Sequence, residues 1–331
     1  MDAPSIRDLV PLDHIWEQMD VVESRLLEAT EADDPFLTKI AQHLLVAGGK
    51  RFRPLLAQLA AEFGPAGDAR RVEAGVAVEL IHVGSLYHDD VMDDAMVRRG
   101  EPSGNALWGD SLAIMAGDFL LARASQVAAT HLGLESVHLL ATTYASLVEG
   151  QTRELQLDFD LGHGEDAYYR VIGGKTASLI RAAARLGALA ADAEPEVTEA
   201  LSNWAWELGI VFQMTDDALD LVADEDFLGK PAGSDILEGK ITLPVLSALG
   251  GPHGDRIRRL LGEAPYQPDA VREVIAIVRS NGHIDRSLAD AAQRIEKAEA
   301  AISILPANDA RQVLSHLGGF LLNQVEAARA G

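Results

Sequence analysis

The chain has 331 residues, 48% of them hydrophobic, which is enough for a sizeable core. Its formal net charge is −23, from 51 acidic against 28 basic residues, the reverse of a nucleic-acid binder, so no nucleic-acid partner is expected. There is no cysteine, which excludes disulfides, thiolate chemistry and cysteine-ligated metals and fits a reducing cytoplasm.

Aromatics make up only 5%, while Ala and Leu are abundant, a mix that favours helices. The first 35 residues read as a polar lead-in with an amphipathic helix carrying Ile15, Met19, Val22, Leu26 and Leu27. Residues 37–60 read as a helix interrupted at Gly48 and Gly49, and 68–94 as a long apolar helix ending in acids. Gly100, Pro102 and Gly104 mark 95–108 as a loop. Further helices are expected over 109–131, 135–160, 165–190, 196–222 and 241–250, with Gly229, Pro231 and Gly233 marking a second loop. Residues 267–330 read as two or three more amphipathic helices. Strict apolar–polar alternation is almost absent, so strands are not expected. No linker divides the chain, so one all-α domain over 1–331 is expected, a single large helical bundle. No apolar run reaches the roughly 18 residues of a membrane span, and the start lacks a signal-peptide pattern. The expectation is a cytoplasmic protein with no transmembrane segment.

Two acidic clusters stand out: His88-Asp89-Asp90-Val91-Met92-Asp93-Asp94 and Gln213-Met214-Thr215-Asp216-Asp217-Ala218-Leu219-Asp220. Both contain D-D-x-x-D. On a helix, Asp89 shares a face with Asp93, and Asp216 with Asp220, while Asp217 neighbours Asp220. Like charges at this spacing repel, and both clusters sit inside apolar stretches where unpaired charge is costly. One cluster alone reads as a solvated helix end. Two copies, each followed by a Gly/Pro loop, point to a cation. Carboxylates without sulfur suit Mg²⁺, which keeps waters and takes substrate phosphates as its other ligands.

Basic residues are scarce, so their clusters need a reason. Gly48-Gly49-Lys50-Arg51-Phe52-Arg53-Pro54 places three cations at a helix start, where backbone N–H groups also favour anions. Arg98-Arg99-Gly100 follows the first acidic cluster, and Lys175, Lys230 and Lys240 each follow a glycine. None matches the Walker pattern. His82 lies about two turns before Asp89, on the same side of the helix. Metal-binding acids plus scattered cations describe a pocket for two polyanions.

In these motifs the chain resembles the trans-isoprenyl diphosphate synthases, the polyprenyl synthetase family. The likeness runs from about Leu44 to Leu246 and also rests on A-G-D-F-L-L-A-R-A (116–124), G-K-T-A-S-L-I (174–180) and G-K-I-T-L-P (239–244). It implies an all-α bundle around a central cavity, usually a homodimer. It implies that Asp89, Asp93 and Asp216 ligate magnesium, with Asp90, Asp217 and Asp220 beside them. Arg98, Lys175, Thr176, Gln213, Lys230 and Lys240 would hold an allylic diphosphate, and Lys50, Arg53, His82 and Arg99 isopentenyl diphosphate. The implied reaction ionises the allylic C–O bond, and the double bond of isopentenyl diphosphate attacks the cation.

In the family, bulky aromatics at the positions of Gly84 and Ser85 stop the product early. Both residues here are small, so the resemblance implies a product longer than farnesyl, a long-chain polyprenyl diphosphate. Ile81 or a facing helix could instead cap the cavity at the geranylgeranyl stage, and the small pair could simply serve helix packing. Tyr87, where many members carry Leu, should pack on the opposite face from Asp89. A terpene cyclase would need a different second acidic motif, and a non-catalytic subunit tends to lose the acids or cations present here.

Overall fold

The computed structural model describes residues 5–223 and 232–330. Ser5 caps a short helix α1 (Ile6–Leu9) through a reciprocal bond pair with Asp8. Helix α2 (Asp13–Ala29) buries Ile15, Met19, Val22 and Leu26, whereas Leu27 faces outward. The expected helix over 37–60 is two helices, α3 (Pro35–Val46) and α4 (Phe52–Ala61). Positive φ at Gly48, Gly49 and Arg51 turns the chain between them.

The long apolar helix is α5 (Asp68–Met92), with Asp93 at its C-terminal cap. The loop after it closes as a two-residue hairpin of β1 (Val97–Arg98) and β2 (Glu101–Pro102), where only a loop was expected. Arg99 (φ 57°) and Gly100 (φ 80°) are both left-handed, the turn that matches strand twist. After α6 (Gly104–Trp108), helix α7 (Asp110–Val127) runs on through a π-helical turn at Ala128–Leu132. Helix α8 (Leu134–Leu157) follows. The stretch 165–190 is not one helix. It is α9 (Glu165–Ile172), a π-helical turn over Gly173–Ala177, and α10 (Ser178–Ala190).

The second acidic cluster lies on α11 (Pro195–Val222), started by Pro195 at its first turn. Then come α12 (Ser234–Leu237), α13 (Leu243–Leu249), α14 (Gly254–Leu261), α15 (Pro268–Ser280), α16 (His283–Ala301) and α17 (Asp309–Ala330). Helix α14 was not expected, because its eight residues, though strongly amphipathic, are shorter than the stretch over which a helical period is read.

Helix α5 packs along α7 and against α2, α4 and α10, and α11 packs against α10, α16 and α17. One contiguous core runs from Val10 to Val325. Tyr87 is fully buried in it, its hydroxyl donating to the Ile40 carbonyl. One described stretch, Asp110–Leu132, is long and apolar enough to cross a membrane by length and composition alone. Asp118 and Arg123 interrupt it, so it is no unbroken apolar run in the sequence. Its inner side packs on α5, and Ile114 and Met115 are exposed.

Candidate active site

The C-terminal ends of α5 and α11 open on one cavity of about 870 Å³. Asp89 and Asp93 reach it from α5, and Asp216 and Asp217 from α11. Lys50, Arg53, His82, Arg98, Arg99, Lys175, Thr176, Gln213 and Lys240 also line it. An apolar part of the wall comes from Leu86, Leu147, Val171, Ile172, Leu179 and Phe212. The cavity thus joins a charged region to a greasy one.

Four expected residues lie off this wall. Asp90 is 0% exposed and clamps Arg98 at 2.5 and 2.6 Å. Consecutive helical residues point about 100° apart, so Asp90 cannot share the face of Asp89. It serves the cavity by aiming Arg98. Asp220 is buried at the end of α11 and accepts the Asp235 N–H at 3.3 Å, which ties α12 to α11. Ile81 is core. Gly84 faces α7, where an added Cβ would lie 3.1 Å from the Gly117 carbonyl and 3.3 Å from Leu121. It is a packing glycine, and only Ser85 of the small pair lines the cavity. Lys230 and the loop glycine Gly229 lie outside the described residues.

Two of these acids, Asp89 and Asp217, are held at raised proton affinity. Burial pushes the Asp89 carboxyl up against the pull of Lys175, and Asp93 adds to the rise. Asp217 is raised well above the usual carboxylate range by burial and by Asp235, although it accepts from Tyr168 (2.6 Å) and Gln213 (2.8 Å). Gln213 in turn accepts from Thr176 at 2.8 Å. This chain of bonds fixes one side of α11 to the π-helical turn of Gly173–Ala177. There Gly150 of α8 packs so close that an added Cβ would lie 2.4 Å from the Lys175 nitrogen. π-turns of this kind recur at functional sites. Lys175 pairs with Glu154, and Lys240 with Glu238 at 2.7 Å and Asp93 at 3.8 Å. Burial alone would lower the Lys240 pKa, but the Glu238, Glu154 and Asp93 carboxylates raise it and hold it charged.

On the opposite side the cations crowd. Burial pushes the Arg53 guanidinium down to about 10, and its Nε has no hydrogen-bond partner among the described residues. Burial and the four arginines 51, 53, 98 and 99 hold His82 well below 6.5, so it is neutral. Arg51, flagged by its motif alone, bonds Glu23 and Glu79 and buttresses the loop. Sequence reasoning passed over Glu79, Glu154 and Tyr168. Glu79 had a signal, since it is the lone acid in the apolar run from Val76 to Leu86. Glu154 and Tyr168 lie in mixed helices and had none.

No three acid or imidazole groups among the described residues converge into a complete metal cage. Asp89, Asp93 and Asp216 instead spread hard oxygen donors over the wall, and burial of the Asp89 carboxyl makes a positive partner there favourable. This donor set fits a divalent ion that keeps waters and takes phosphate oxygens as its remaining ligands.

The profile of the family described as polyprenyl synthetase matches residues 34–278. The chain belongs to the polyprenyl synthetase family. It is a prenyltransferase, and the family's reliance on a divalent metal accords with its acids. The nonaprenyl diphosphate synthase of Mycobacterium tuberculosis is 42% identical over 301 residues, covering 90% of this chain and 89% of that protein. A short chain isoprenyl diphosphate synthase of Methanothermobacter thermautotrophicus is 36% identical, covering 95% and 98%. Among solved structures, a polyprenyl synthase from Caulobacter crescentus complexed with calcium and isoprenyl diphosphate superposes with a TM-score of 0.89. It is 34% identical, with 97% of this chain and 98% of that chain covered.

Proposed function

We propose that the chain condenses isopentenyl diphosphate with an allylic diphosphate, head to tail, and makes a polyprenyl diphosphate longer than farnesyl. The observation that carries this is the meeting of Asp89 and Asp93 with Asp216 at one cavity that cations and apolar side chains also line. Lys175, Lys240 and Arg98 face the side of the acids and would hold the allylic diphosphate. Their charge grows in value as the C–O bond breaks and negative charge collects on the departing group. Magnesium held by Asp89, Asp93 and Asp216 would supply further positive charge there.

Lys50, Arg53, Arg99 and the neutral His82 would hold isopentenyl diphosphate. Its double bond then attacks the allylic carbon, a C–C bond forms, and one proton leaves. The released diphosphate, still held by the cations, is the base that takes it. The apolar wall shelters the growing tail. Ser85 stands on that wall as a small side chain, with its hydroxyl turned back to the His82 carbonyl at 2.9 Å, and so supports a long product. The nonaprenyl relative supports the same reading.

We also infer a homodimer joined through α7. Ile114 and Met115, with Met96, Val97 and Leu107 nearby in sequence, expose apolar side chains that a second copy would cover.

Asp216→Asn tests the site. It keeps shape and removes charge, so kcat should fall by about a hundredfold or more with the helical content unchanged. Full activity in this variant would contradict the assignment.

A further inference from the structure

The cation cluster proposed for isopentenyl diphosphate is built around one acid. Glu79 lies one turn before His82 on α5, on the same face, and is 1% exposed. It accepts from Arg51 Nη1 at 3.2 Å, and Arg99 Nη2 lies 4.0 Å away. Its Oε2 has no hydrogen-bond partner among the described residues. The carboxylate lines the cavity.

The three guanidinium groups around it are not equivalent. Arg51 is already committed, to Glu23 at 2.5 and 3.1 Å and to the carbonyls of Leu45 (2.7 Å) and Gly48 (3.2 Å). Arg99 rests one end on the carbonyls of Leu44 (2.7 Å) and Gly48, which leaves Nη2 toward Glu79. Arg53 is buried on the cavity wall with an unpartnered Nε. Burial raises the proton affinity of Glu79 and the three guanidinium groups pull it back down, and among the described residues no other carboxylate acts on all three. Buried like charges without a counter-ion repel one another and lose their hydration, so the cluster would splay without it.

We propose that Glu79 is a positioning residue that holds Arg53 and Arg99 together and aimed at the cavity before isopentenyl diphosphate arrives. The inference rests on reading Lys50, Arg53, His82 and Arg99 as that subsite. Donors already in place cost little ordering when the diphosphate binds, so the benefit falls on this substrate and not on the allylic one. The acid itself does not touch the reacting carbons. A neutral amide in its place keeps one acceptor oxygen but loses the charge that gathers the guanidinium groups.

The test is steady-state kinetics of Glu79→Gln and Glu79→Asp, with Arg53→Ala as the control for the subsite. For Glu79→Gln, the KM for isopentenyl diphosphate should rise about tenfold, with the allylic KM unchanged and kcat within about threefold. Glu79→Asp should show the same selective rise, smaller in size. It also carries the test if the Gln variant does not fold. A merely structural role would lower kcat or raise both KM values together, and that result overturns the proposal. So does an unchanged KM for isopentenyl diphosphate in the Glu79 variants when Arg53→Ala raises it. If Arg53→Ala leaves that KM unchanged, the subsite reading itself falls, and the role of Glu79 with it.

Discussion

His82 sits among Arg51, Arg53, Arg98 and Arg99, with Glu79 one turn away, and burial with these cations keeps its imidazole neutral. The unfolded chain has no such cluster, so there it titrates near its ordinary value of 6.5. A folded pKa below the unfolded one means that the unfolded state takes the proton first. The contribution is therefore intact above about pH 6.5 and is lost as pH falls toward the folded value. His82→Gln should flatten the fall in melting temperature between pH 7 and pH 5 relative to the parent. Equal slopes in the two proteins would contradict the neutral, cation-ringed imidazole. Single residues were also where sequence reading fell short. Asp90 looked like Asp89 in the motif but lies on another face of α5, and Asp220, on the same face as Asp216, is buried where the Asp235 N–H of α12 meets the end of α11. Gly84 looked like an open floor because the absence of a side chain says nothing about what fills the space.

Among the elements, the π-helical turn at Gly173–Ala177 sets the position of Lys175 and Thr176. It exists where α8 comes closest, at Gly150. Gly150→Ala would drive a methyl into the Lys175 backbone nitrogen, and the turn must shift. We expect a loss of about 1–3 kcal/mol in unfolding free energy and a higher KM for the allylic substrate, read by denaturant melts and kinetics. Unchanged values for both would show that the turn has slack. The helices themselves were legible, because Ala- and Leu-rich periodic stretches leave little competition. The breaks were not. A π-turn keeps helical composition, and the hairpin of Val97–Pro102 is too short for alternation to show. The split at Gly48 and Gly49 was visible as a weak point, and the left-handed Arg51 that completes it was not.

For the molecule as a whole, the joining of two distant motifs at one cavity was legible in the sequence, because like charge in two apolar helices makes sense only if something positive lies between them. The face of α7 was not. Its apolar residues look like core in sequence, yet Ile114 and Met115 stand in solvent. If a second copy covers them, Met115→Asp should give a monomer by light scattering, where the parent gives a dimer. A monomeric parent would contradict the inferred homodimer. The size of the product also belongs to this scale, since it is set by how far the apolar wall runs past Ser85.

The most direct measurement is the chain length made by the purified chain from isopentenyl diphosphate and short allylic primers, with and without Mg²⁺, alongside Ser85→Phe. The account predicts metal-dependent turnover by the chain alone, products of about thirty carbons or more, and shorter products from Ser85→Phe, whose ring would obstruct the wall at the first turn below Asp89. Products that stop at the geranylgeranyl stage, or that keep their length in Ser85→Phe, would contradict the assigned wall. No condensation with any primer would contradict the enzyme reading itself.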